Sequence, residues 1–391
     1  MQITKPSSLL TKIAQFGVLV EHIDGGKLYH ILCLCCCIIR CRSCNLNQCK
    51  VEHASVSGET LKLCTVYSRF KRIFQTGRGD KICKSLFIIV LHLVYPYIEP
   101  ILVVDRTEFT IGKKWVNLLV YGVVCHGVFI PLVWKDLGER KSSSQKERLA
   151  LLDKLLAWWR ASKLPLPTLS LLGDREFIGQ QWLMALDKRG LKFVIRLKSN
   201  LKFHAWHKGR LREKKVKVRH LARYLKRKKE NTCEIVLLEE LIVNFVCLPN
   251  EDKNAKEQFV YLITNLENPL QAVSLYRKRW KIECCFKHLK SNGFDLESTA
   301  LEGTHKQEIL FAILTLAYVL AIREGILNEY EQQVPIRTFN NGKAYRKKSL
   351  FLFGFEIFKP KANTFLGFAR YFKAVIWDAL KHFKYRYLSY T

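Results

Sequence analysis

The sequence contains few acidic residues for its size. Among 391 residues there are 34 Asp and Glu against 65 Lys and Arg, which gives a formal net charge of +31 at pH 7. A surplus of this size indicates a polyanionic partner, most commonly nucleic acid. A basic protein of a membrane surface or a ribosomal type of RNA-binding protein would share it, so charge alone does not identify the partner. The hydrophobic content of 49% and the 8 Trp argue against a disordered basic tail.

The sequence also lacks an apolar run that would cross a bilayer. The apolar stretch Ile309–Ile322 has 14 residues, whereas a membrane-spanning helix needs about 20. We therefore predict a buried core helix there and no association with a membrane. The first residues do not combine a charged start, an apolar stretch and a small-residue cleavage site, so no secretion signal is expected. The expected compartment is the cytoplasm, where thiols stay reduced.

The cysteines do not complete a metal-binding pattern. Half of the 14 cysteines lie between Cys33 and Cys49, and Cys41, Cys44 and Cys49 have a spacing that zinc would accept. No second CxxC or HxxxH pair follows nearby, and most of the cluster lies in an apolar run. We predict that these cysteines are small buried hydrophobic residues, with a metal site as the alternative.

Internal repeats and low-complexity segments are also absent, so the fold is predicted from local patterns. β-Branched runs predict strands, and apolar residues at helical spacing predict helices. The predicted strands are residues 101–109, 115–125, 128–134, 168–172, 193–197, 234–248 and 259–264, and His126-Gly127 is a predicted tight hairpin. The predicted helices are residues 146–162, 179–188, 268–292, 305–328 and 369–383, and residues 1–95 are predicted to be mostly helical. This order predicts an α/β fold in which a sheet is flanked by helices.

The segment YRKRWKIECCFKHLK carries the most informative spacing. Tyr276, Arg279, Glu283 and Lys290 lie at offsets of zero, three, seven and fourteen. On an α-helix they fall within roughly 60° of one another. An apolar ridge lies beside this polar stripe, formed by Leu275, Ile282, Phe286 and Leu289. The arrangement suits an acid that binds a metal ion while its neighbours bind phosphates, but an ordinary amphipathic helix would show the same pattern.

Two further carboxylates stand at the ends of predicted strands. Asp105 ends the run ILVVD, and Asp174 follows LSLLG. If these two strands are neighbours in one sheet, both carboxylates point into one cleft, which a helix carrying Glu283 could close. Three converging acids need a divalent cation, and two Mg²⁺ ions about 4 Å apart would support in-line attack on a phosphodiester. The alternative is that these acids cap helices or bind turns, as strand-end acids often do.

These motifs together resemble those of the DDE transposases of bacterial insertion sequences. The resemblance is to the subgroup with a tyrosine–arginine–glutamate–lysine motif, Y-x2-R-x3-E-x6-K, and every position of it is matched from Tyr276 to Lys290. The two acid boxes are present in order as Asp105-Arg106-Thr107 and as Gly173-Asp174-Arg175-Glu176-Phe177. The likeness covers roughly residues 62–330 and includes the basic segment SRFKRIF.

The resemblance implies a fold, a set of ligands and a set of DNA contacts. It implies a ribonuclease H-like core, with Asp105, Asp174 and Glu283 as ligands of two Mg²⁺ ions for which Mn²⁺ can substitute. It also implies that the motif cations and Tyr hold phosphates and a flipped base near the cleaved DNA end. The residues expected at DNA are Tyr276, Arg279, Lys290, Arg175 and Trp206. Packing inside a small core of its own segment is the alternative for Trp206.

With the resemblance, the chain divides into five regions. They are a helical N-terminal DNA-binding region (1–95), the first part of the core (96–200), a basic β-rich insertion (201–265), the second part of the core with the Glu helix (266–330) and a basic C-terminal region (331–391). Residues 200–230 hold 13 Lys or Arg against 2 Glu. We predict that this run contacts the DNA backbone, because so many like charges repel one another without a polyanion.

The sequence therefore predicts a transposase that cleaves strands at the ends of an insertion sequence and joins the 3′-hydroxyls to target DNA. The expected partner is double-stranded DNA, both terminal inverted repeats and target, bound by a homodimer in a bacterial cytoplasm at the nucleoid. A hairpin intermediate at the ends is implied by the resemblance. The alternatives are a structure-selective nuclease without strand transfer and a non-enzymatic DNA-binding protein. Joined products separate the first alternative, and Mg²⁺-independent binding without cleavage separates the second.

Overall fold

The computed structural model describes most of the chain as secondary structure. The described residues are 23, 25–75, 77, 79–138, 140–207, 210–211, 214–237, 241–250, 257–329, 334, 336–338 and 344–388, with the backbone alone at 206–207, 210–211, 344–345 and 379–388. The helices are α1 (Gly25–Cys41), α2 (Leu46–Ser57), α3 (Leu63–Ile73), α4 (Gly79–Val94), α5 (Gln145–Ala161), α6 (Gln180–Lys188), α7 (Val218–Lys228), α8 (Gln271–Arg277), α9 (Lys281–Lys290), α10 (Thr304–Asn328), α11 (Leu350–Phe358) and α12 (Phe365–Leu388). The strands are β1 (Ile98–Ile111), β2 (Lys114–Cys125), β3 (Val128–Asp136), β4 (Ser170–Gly173), β5 (Lys192–Arg196), β6 (Lys202–His207), β7 (Arg210–Leu211), β8 (Val216–Lys217), β9 (Thr232–Leu237), β10 (Leu241–Pro249), β11 (Phe259–Thr264), β12 (Ile336–Thr338) and β13 (Ala344–Arg346).

One mixed sheet organises the fold. Its strand order is β3-β2-β1-β4-β5-β11-β10-β9-β6-β7, and β8 pairs with β6. Strands β1, β2 and β3 are antiparallel neighbours, whereas β4 is parallel to β1 and β5 is parallel to β4. Three antiparallel strands followed by two parallel ones form a ribonuclease H-like core, with helices packed on the sheet. The predicted fold class is confirmed.

The turn between β2 and β3 follows the sequence prediction. His126 and Gly127 both have positive φ, at 47° and 72°. A two-residue hairpin of this hand matches the twist of the flanking strands. Gly127 tolerates that φ without a steric penalty, which explains why a glycine stands there.

The insertion extends the core sheet instead of standing apart from it. β11 pairs antiparallel with β5, so the strands of residues 201–265 continue the same hydrogen-bonded ladder. The prediction of one strand over residues 234–248 was wrong, because two strands pair there with Leu241 opposite Leu237. Apolar residues continue on both sides of Glu239-Glu240, so hydrophobicity did not indicate that one strand, β9, ends before the next, β10, begins. The basic run also contains a helix, α7, that was not predicted.

α10 is the central core helix. It is 25 residues long, so the predicted apolar core of 14 residues is only its middle. By length and composition this helix could cross a membrane, and α1 with α2 passes the same test only as a pair bent by 105°. However, 94% of the most apolar window of α10 is buried inside the protein, where it packs on α4, α11 and β3. The prediction of a buried core helix is therefore confirmed.

Between Gly25 and Val94, the described residues of the N-terminal region form helices α1 to α4, which agrees with the prediction of a mostly helical segment. The side chains of Cys33, Cys35, Cys36 and Cys37 are fully buried in α1. The Sγ atoms of Cys41 and Cys49 lie 3.8 Å apart. Among the described residues, no group of three or more His, Cys, Asp or Glu side chains is arranged to hold a metal ion. The structural interpretation of the cysteine cluster therefore fits the buried side chains.

The helix that carries the motif is interrupted. Residues 268–292 were predicted as one helix, but α8 ends at Arg277, a 3₁₀ turn follows over Lys278–Trp280, and α9 begins at Lys281. The axis continues through the turn, because the caps of all three segments keep helical backbone angles. The predicted tail helix over 369–383 is also longer, extending from Phe365 to Leu388.

Candidate active site

Three elements bring the predicted acids to one end of the core sheet. Asp105 lies within β1, and Asp174 is the first residue after β4. Because β1 and β4 are parallel neighbours with Val104 opposite Gly173, the two carboxylates follow equivalent positions of adjacent strands. Glu283 lies in the first turn of α9. The sequence prediction of a shared cleft depended on these strands being neighbours, and they are.

Arg279 joins two of the acids. Its Nη1 donates to Asp105 Oδ2 at 2.8 Å, and its Nη2 donates to Glu283 Oε1 at 2.5 Å. The Arg279 side chain is only 11% exposed. A guanidinium is planar and rigid, so the two carboxylates must face the same small space on the cleft side of α9. An acid from the sheet and an acid from the helix thus converge on one cation.

The third acid is held by the Tyr of the motif. The Tyr276 hydroxyl donates to Asp174 Oδ1 at 3.2 Å, and burial raises the pKa of Tyr276, with the Asp174 charge adding to the rise. Tyr276 therefore stays a neutral donor at any physiological pH. At the far end of the stripe, Lys290 Nζ donates to the backbone carbonyl of Glu108 on β1 at 2.5 Å, and burial lowers its pKa. The predicted polar stripe thus faces β1 and the end of β4.

The charge on Asp105 is finely balanced. Burial raises the pKa of Asp105 to about 7, and the nearby Asp174 and Glu176 add to the rise. Arg279 and the backbone N–H of Arg106, which donates to Asp105 Oδ1 at 2.8 Å, act in the opposite direction. A buried carboxylate with carboxylate neighbours and a pKa near neutrality is typical of a functional site.

The donor set suits a hard divalent cation in its chemistry. Carboxylate oxygens are the ligands that Mg²⁺ and Mn²⁺ prefer. In the described residues, however, the acids are not spaced as a ready metal cluster. Arg279 lies between Asp105 and Glu283 instead. The residues therefore fit a metal ion, provided that this guanidinium moves.

A second arginine, which the sequence prediction missed, links the two acid boxes. Arg106 Nε donates to Glu176 Oε1 at 2.7 Å and Nη2 donates to Glu176 Oε2 at 2.8 Å. Its Nη1 also donates to Glu108, to Asn117 and to the carbonyl of Lys141. Arg106 follows Asp105, and Glu176 lies two residues after Asp174. The only signal for this pair in the sequence was that the first acid box contains a cation, Arg106, and the second contains an additional acid, Glu176.

Arg175 and Trp206, which were also predicted to contact DNA, are not bound to the three acids as the residues of the motif are. Arg175 forms an ion pair with Glu257 at 3.6 Å, which also pairs with Arg196 at 3.6 Å. Arg175 is thus beside Asp174 in the chain but is held towards the insertion. Trp206 belongs to β6, which β11, β10 and β9 separate from the core strand β5. Its side chain lies outside the described residues, so its predicted role stays a prediction.

The insertion presents a basic face on α7. The side chains of Val218, Leu221, Ala222 and Leu225 are buried. The opposite face is exposed and cationic, formed by Arg219, Arg223, Lys226, Arg227 and Lys228. In the described residues no acidic side chain of α7 itself offsets this charge.

Comparison with known proteins places the chain in a family. Residues 96–320, more than half of the sequence, match the family described as "Transposase DDE domain". No curated protein matches the sequence. Among solved structures, the cryo-EM structure of a piggyBac transposase synaptic complex with hairpin DNA is similar over 96% of this chain and 83% of that chain, at 10% identity and a TM-score of 0.44. The extent of the family match, with the acids of both boxes inside it, shows that this chain belongs to the transposase DDE domain family.

Proposed function

We propose that the protein is a metal-dependent DNA transposase that cleaves DNA strands at the ends of an insertion sequence. It then transfers the freed 3′-hydroxyls to target DNA. The single observation that supports this best is the convergence of Asp105 from β1 and Glu283 from α9 on one cation, beside Asp174. Family membership supplies the reaction class, and the net charge of +31 supplies the affinity for a polyanion.

Asp105, Asp174 and Glu283 are the residues that would hold two Mg²⁺ ions. Bound there, the ions would activate the attacking oxygen and stabilise the leaving oxygen of an in-line displacement at phosphorus. The chain's own contribution is to hold the three carboxylates in place. Tyr276 orients Asp174, the backbone N–H of Arg106 orients Asp105, and the Arg106–Glu176 pair joins the two loops.

The cations of the motif would bind the DNA end. Arg279 has the forked geometry that matches a phosphate, and Lys290, the last residue of α9, contributes a second positive charge about three turns further along. Arg175 lies between Asp174 and Glu176 and can reach a phosphate once it leaves Glu257. The basic face of α7 would contact the DNA backbone outside the cleft. Each of these contacts is independent of sequence, so recognition of particular ends must come from other residues.

The finer features of the proposal follow from the family resemblance. They are a bacterial insertion sequence as the origin, a hairpin intermediate at its ends, a homodimer that pairs two ends, and action at the nucleoid in the cytoplasm. Trp206 is proposed to stack on the flipped base. Imperfect inverted repeats just outside the gene, bounded by short direct repeats, would be decisive evidence that the gene belongs to an insertion sequence.

The experiment uses purified full-length protein, labelled duplexes from the DNA that flanks the gene, a target plasmid and Mg²⁺. The wild type is expected to cleave the ends and join them to the plasmid. Glu283→Gln is expected to abolish both steps, whereas Glu267→Gln, the same change at an exposed Glu before α8, is expected to leave them intact.

Each of the other outcomes supports one of the alternative functions or refutes the role of Glu283. Cleavage without joined products would indicate a structure-selective nuclease. Binding that is indifferent to Mg²⁺, with no cleavage by the wild type, would indicate a DNA-binding protein without enzymatic activity. Equal cleavage by Glu283→Gln and the wild type would refute the role of Glu283.

A further inference from the structure

Arg279 is bound to two of the acids that would hold a metal ion. Its guanidinium hydrogen-bonds to Asp105 Oδ2 at 2.8 Å and to Glu283 Oε1 at 2.5 Å. The second oxygen of Asp105 is also engaged, because it accepts the backbone N–H of Arg106 at 2.8 Å. Asp105 Oδ2, the oxygen on the side of Glu283, is thus the one that Arg279 holds.

A guanidinium and a divalent ion cannot share this space. Mg²⁺ requires carboxylate oxygens at about 2.1 Å, with the lone pairs directed at the ion. Arg279 carries a positive charge, so a divalent ion beside it would also be repelled at short range. In the structure, Arg279 supplies the positive charge that compensates Asp105 and Glu283.

The local backbone suits a side chain with two positions. Arg279 lies in the 3₁₀ turn between α8 and α9, where backbone hydrogen bonds between residues three apart replace those of the α-helix. Such turns within a helix often mark hinges. The residue that follows, Trp280, is 61% exposed, so the turn lies at the protein surface although Arg279 itself is buried. A small rotation of the turn would carry the guanidinium from the acids to the open side of the cleft.

We propose that Arg279 is an internal substitute for the catalytic metal, and that metal binding releases its guanidinium to grip a phosphate of the DNA end. This inference rests on the proposed function, because it needs a metal at Asp105 and Glu283. It adds a coupling between two ligands. Metal binding exposes a phosphate-binding group, and a phosphate that captures Arg279 opens the acids to the metal, so each ligand strengthens the binding of the other by the same factor.

The coupling between metal binding and phosphate binding would link the formation of the metal site to the arrival of DNA. In the absence of DNA, Arg279 keeps the acids neutralised and opposes metal binding. Near a DNA end, the metal would replace Arg279 at Asp105 and Glu283, and a phosphate would replace these two acids as the partner of Arg279. The complete site is then favoured where DNA is present, which would limit cleavage at wrong places.

The first test measures binding of Mn²⁺ to the full chain by electron paramagnetic resonance, without DNA. Arg279→Gln is expected to bind Mn²⁺ at least about 10-fold more tightly than the wild type, since the competing cation is gone. Arg279→Lys, which keeps a charge but not the fork, is expected to lie between them. Arg160→Gln, on the exposed surface of α5, is expected to bind as the wild type does. Circular dichroism and thermal melting establish that each variant is folded.

The second test follows Arg279 itself. A dicarbonyl reagent that modifies arginine is expected to react several-fold faster with Arg279 when Mg²⁺ is added to the wild type. Arg106 should stay protected and Arg227 reactive in both conditions. Unchanged or weaker Mn²⁺ affinity in Arg279→Gln, or an Mg²⁺-independent reaction of Arg279, would overturn the inference while the proposed function stands. An absence of Mn²⁺ binding in every one of these proteins would instead overturn the metal site, and both proposals with it.

Discussion

Arg106 and Glu176 form a two-point ion pair that ties together the chain segments carrying Asp105 and Asp174. The two hydrogen bonds measure 2.7 and 2.8 Å, and Arg106 is only 14% exposed. Such bidentate pairs are among the stronger polar contacts in proteins, and removal of one partner leaves buried groups unsatisfied. The pair therefore fixes the separation of the two acids before any ligand arrives.

Arg106→Lys should lower the free energy of unfolding by about 2 kcal/mol, because lysine lacks the fork and leaves acceptors of Glu176 and Asn117 unpaired. Urea denaturation measures this. The matched control is Arg189→Lys, since Arg189 also contacts both oxygens of its partner, Asp153, but at an exposed site. Its cost should stay within about 0.5 kcal/mol. Equal losses in the two variants would show that the Arg106 pair has no special role.

The raised pKa of Asp105 predicts that stability depends on pH. The folded-state pKa of about 7 exceeds the usual value of 3.8, so between these values the folded protein binds more protons than the unfolded chain. That contribution to stability is present at low pH and is lost as the pH rises through 7. Between pH 5 and pH 8 in EDTA, the metal-free wild type should lose about 2 kcal/mol more than Asp105→Asn. Parallel pH dependence of the two proteins would contradict the assignment.

Tyr276→Phe separates orientation from folding. It removes the hydroxyl that donates to Asp174, so cleavage of DNA ends should fall by about 5-fold, which corresponds to a hydrogen bond of about 1 kcal/mol net. The control is Tyr95→Phe, which removes a hydroxyl that donates to the carbonyl of Pro165. Both variants should melt within a few degrees of the wild type, and only the first should lose activity. Full activity in Tyr276→Phe would exclude an orienting role.

The exposed face of α7 predicts a change in salt dependence. The double variant Arg223→Gln and Arg227→Gln removes two exposed cations one helical turn apart. The slope of log affinity for DNA against log salt concentration should become smaller by about 1 to 2. Arg160→Gln with Lys163→Gln removes the same charge near the end of α5 and should leave the slope unchanged. An equal effect of both pairs would indicate only a loss of net charge.

Local patterns were sufficient to predict the core of the fold. The runs ending at Asp105, Cys125 and Leu172 are mostly apolar, as buried strands are, and turn residues follow the last two. Their ends shifted by one to three residues because the ladder of hydrogen bonds, and not hydrophobicity, sets where a strand stops. The extension of this sheet by the insertion could not be predicted, since pairing of β11 with β5 is a choice of partner that periodicity does not encode.

The residues of the candidate site could be predicted from the sequence, but the contacts between them could not. Spacing alone predicted that Tyr276, Arg279, Glu283 and Lys290 share one face, and in the structure Arg279 contacts Glu283 and Asp105 while Tyr276 contacts Asp174. The partner of Arg279 on β1 lies 174 residues away in sequence, and Arg106 and Glu176 are 70 residues apart. Contacts over such distances follow from the arrangement of β1 and β4, which no local signal specifies.

Crystals of the full chain grown with Mn²⁺ would show directly whether a metal ion replaces Arg279 at the acids. We expect an anomalous difference peak within about 2.2 Å of carboxylate oxygens of Asp105 and Glu283, with Asp174 at the same centre and the Arg279 guanidinium turned away from both acids. A peak with Arg279 still bound to Asp105 and Glu283 would contradict the release of Arg279. The absence of any peak at these acids, at Mn²⁺ concentrations that support cleavage, would contradict the metal site itself.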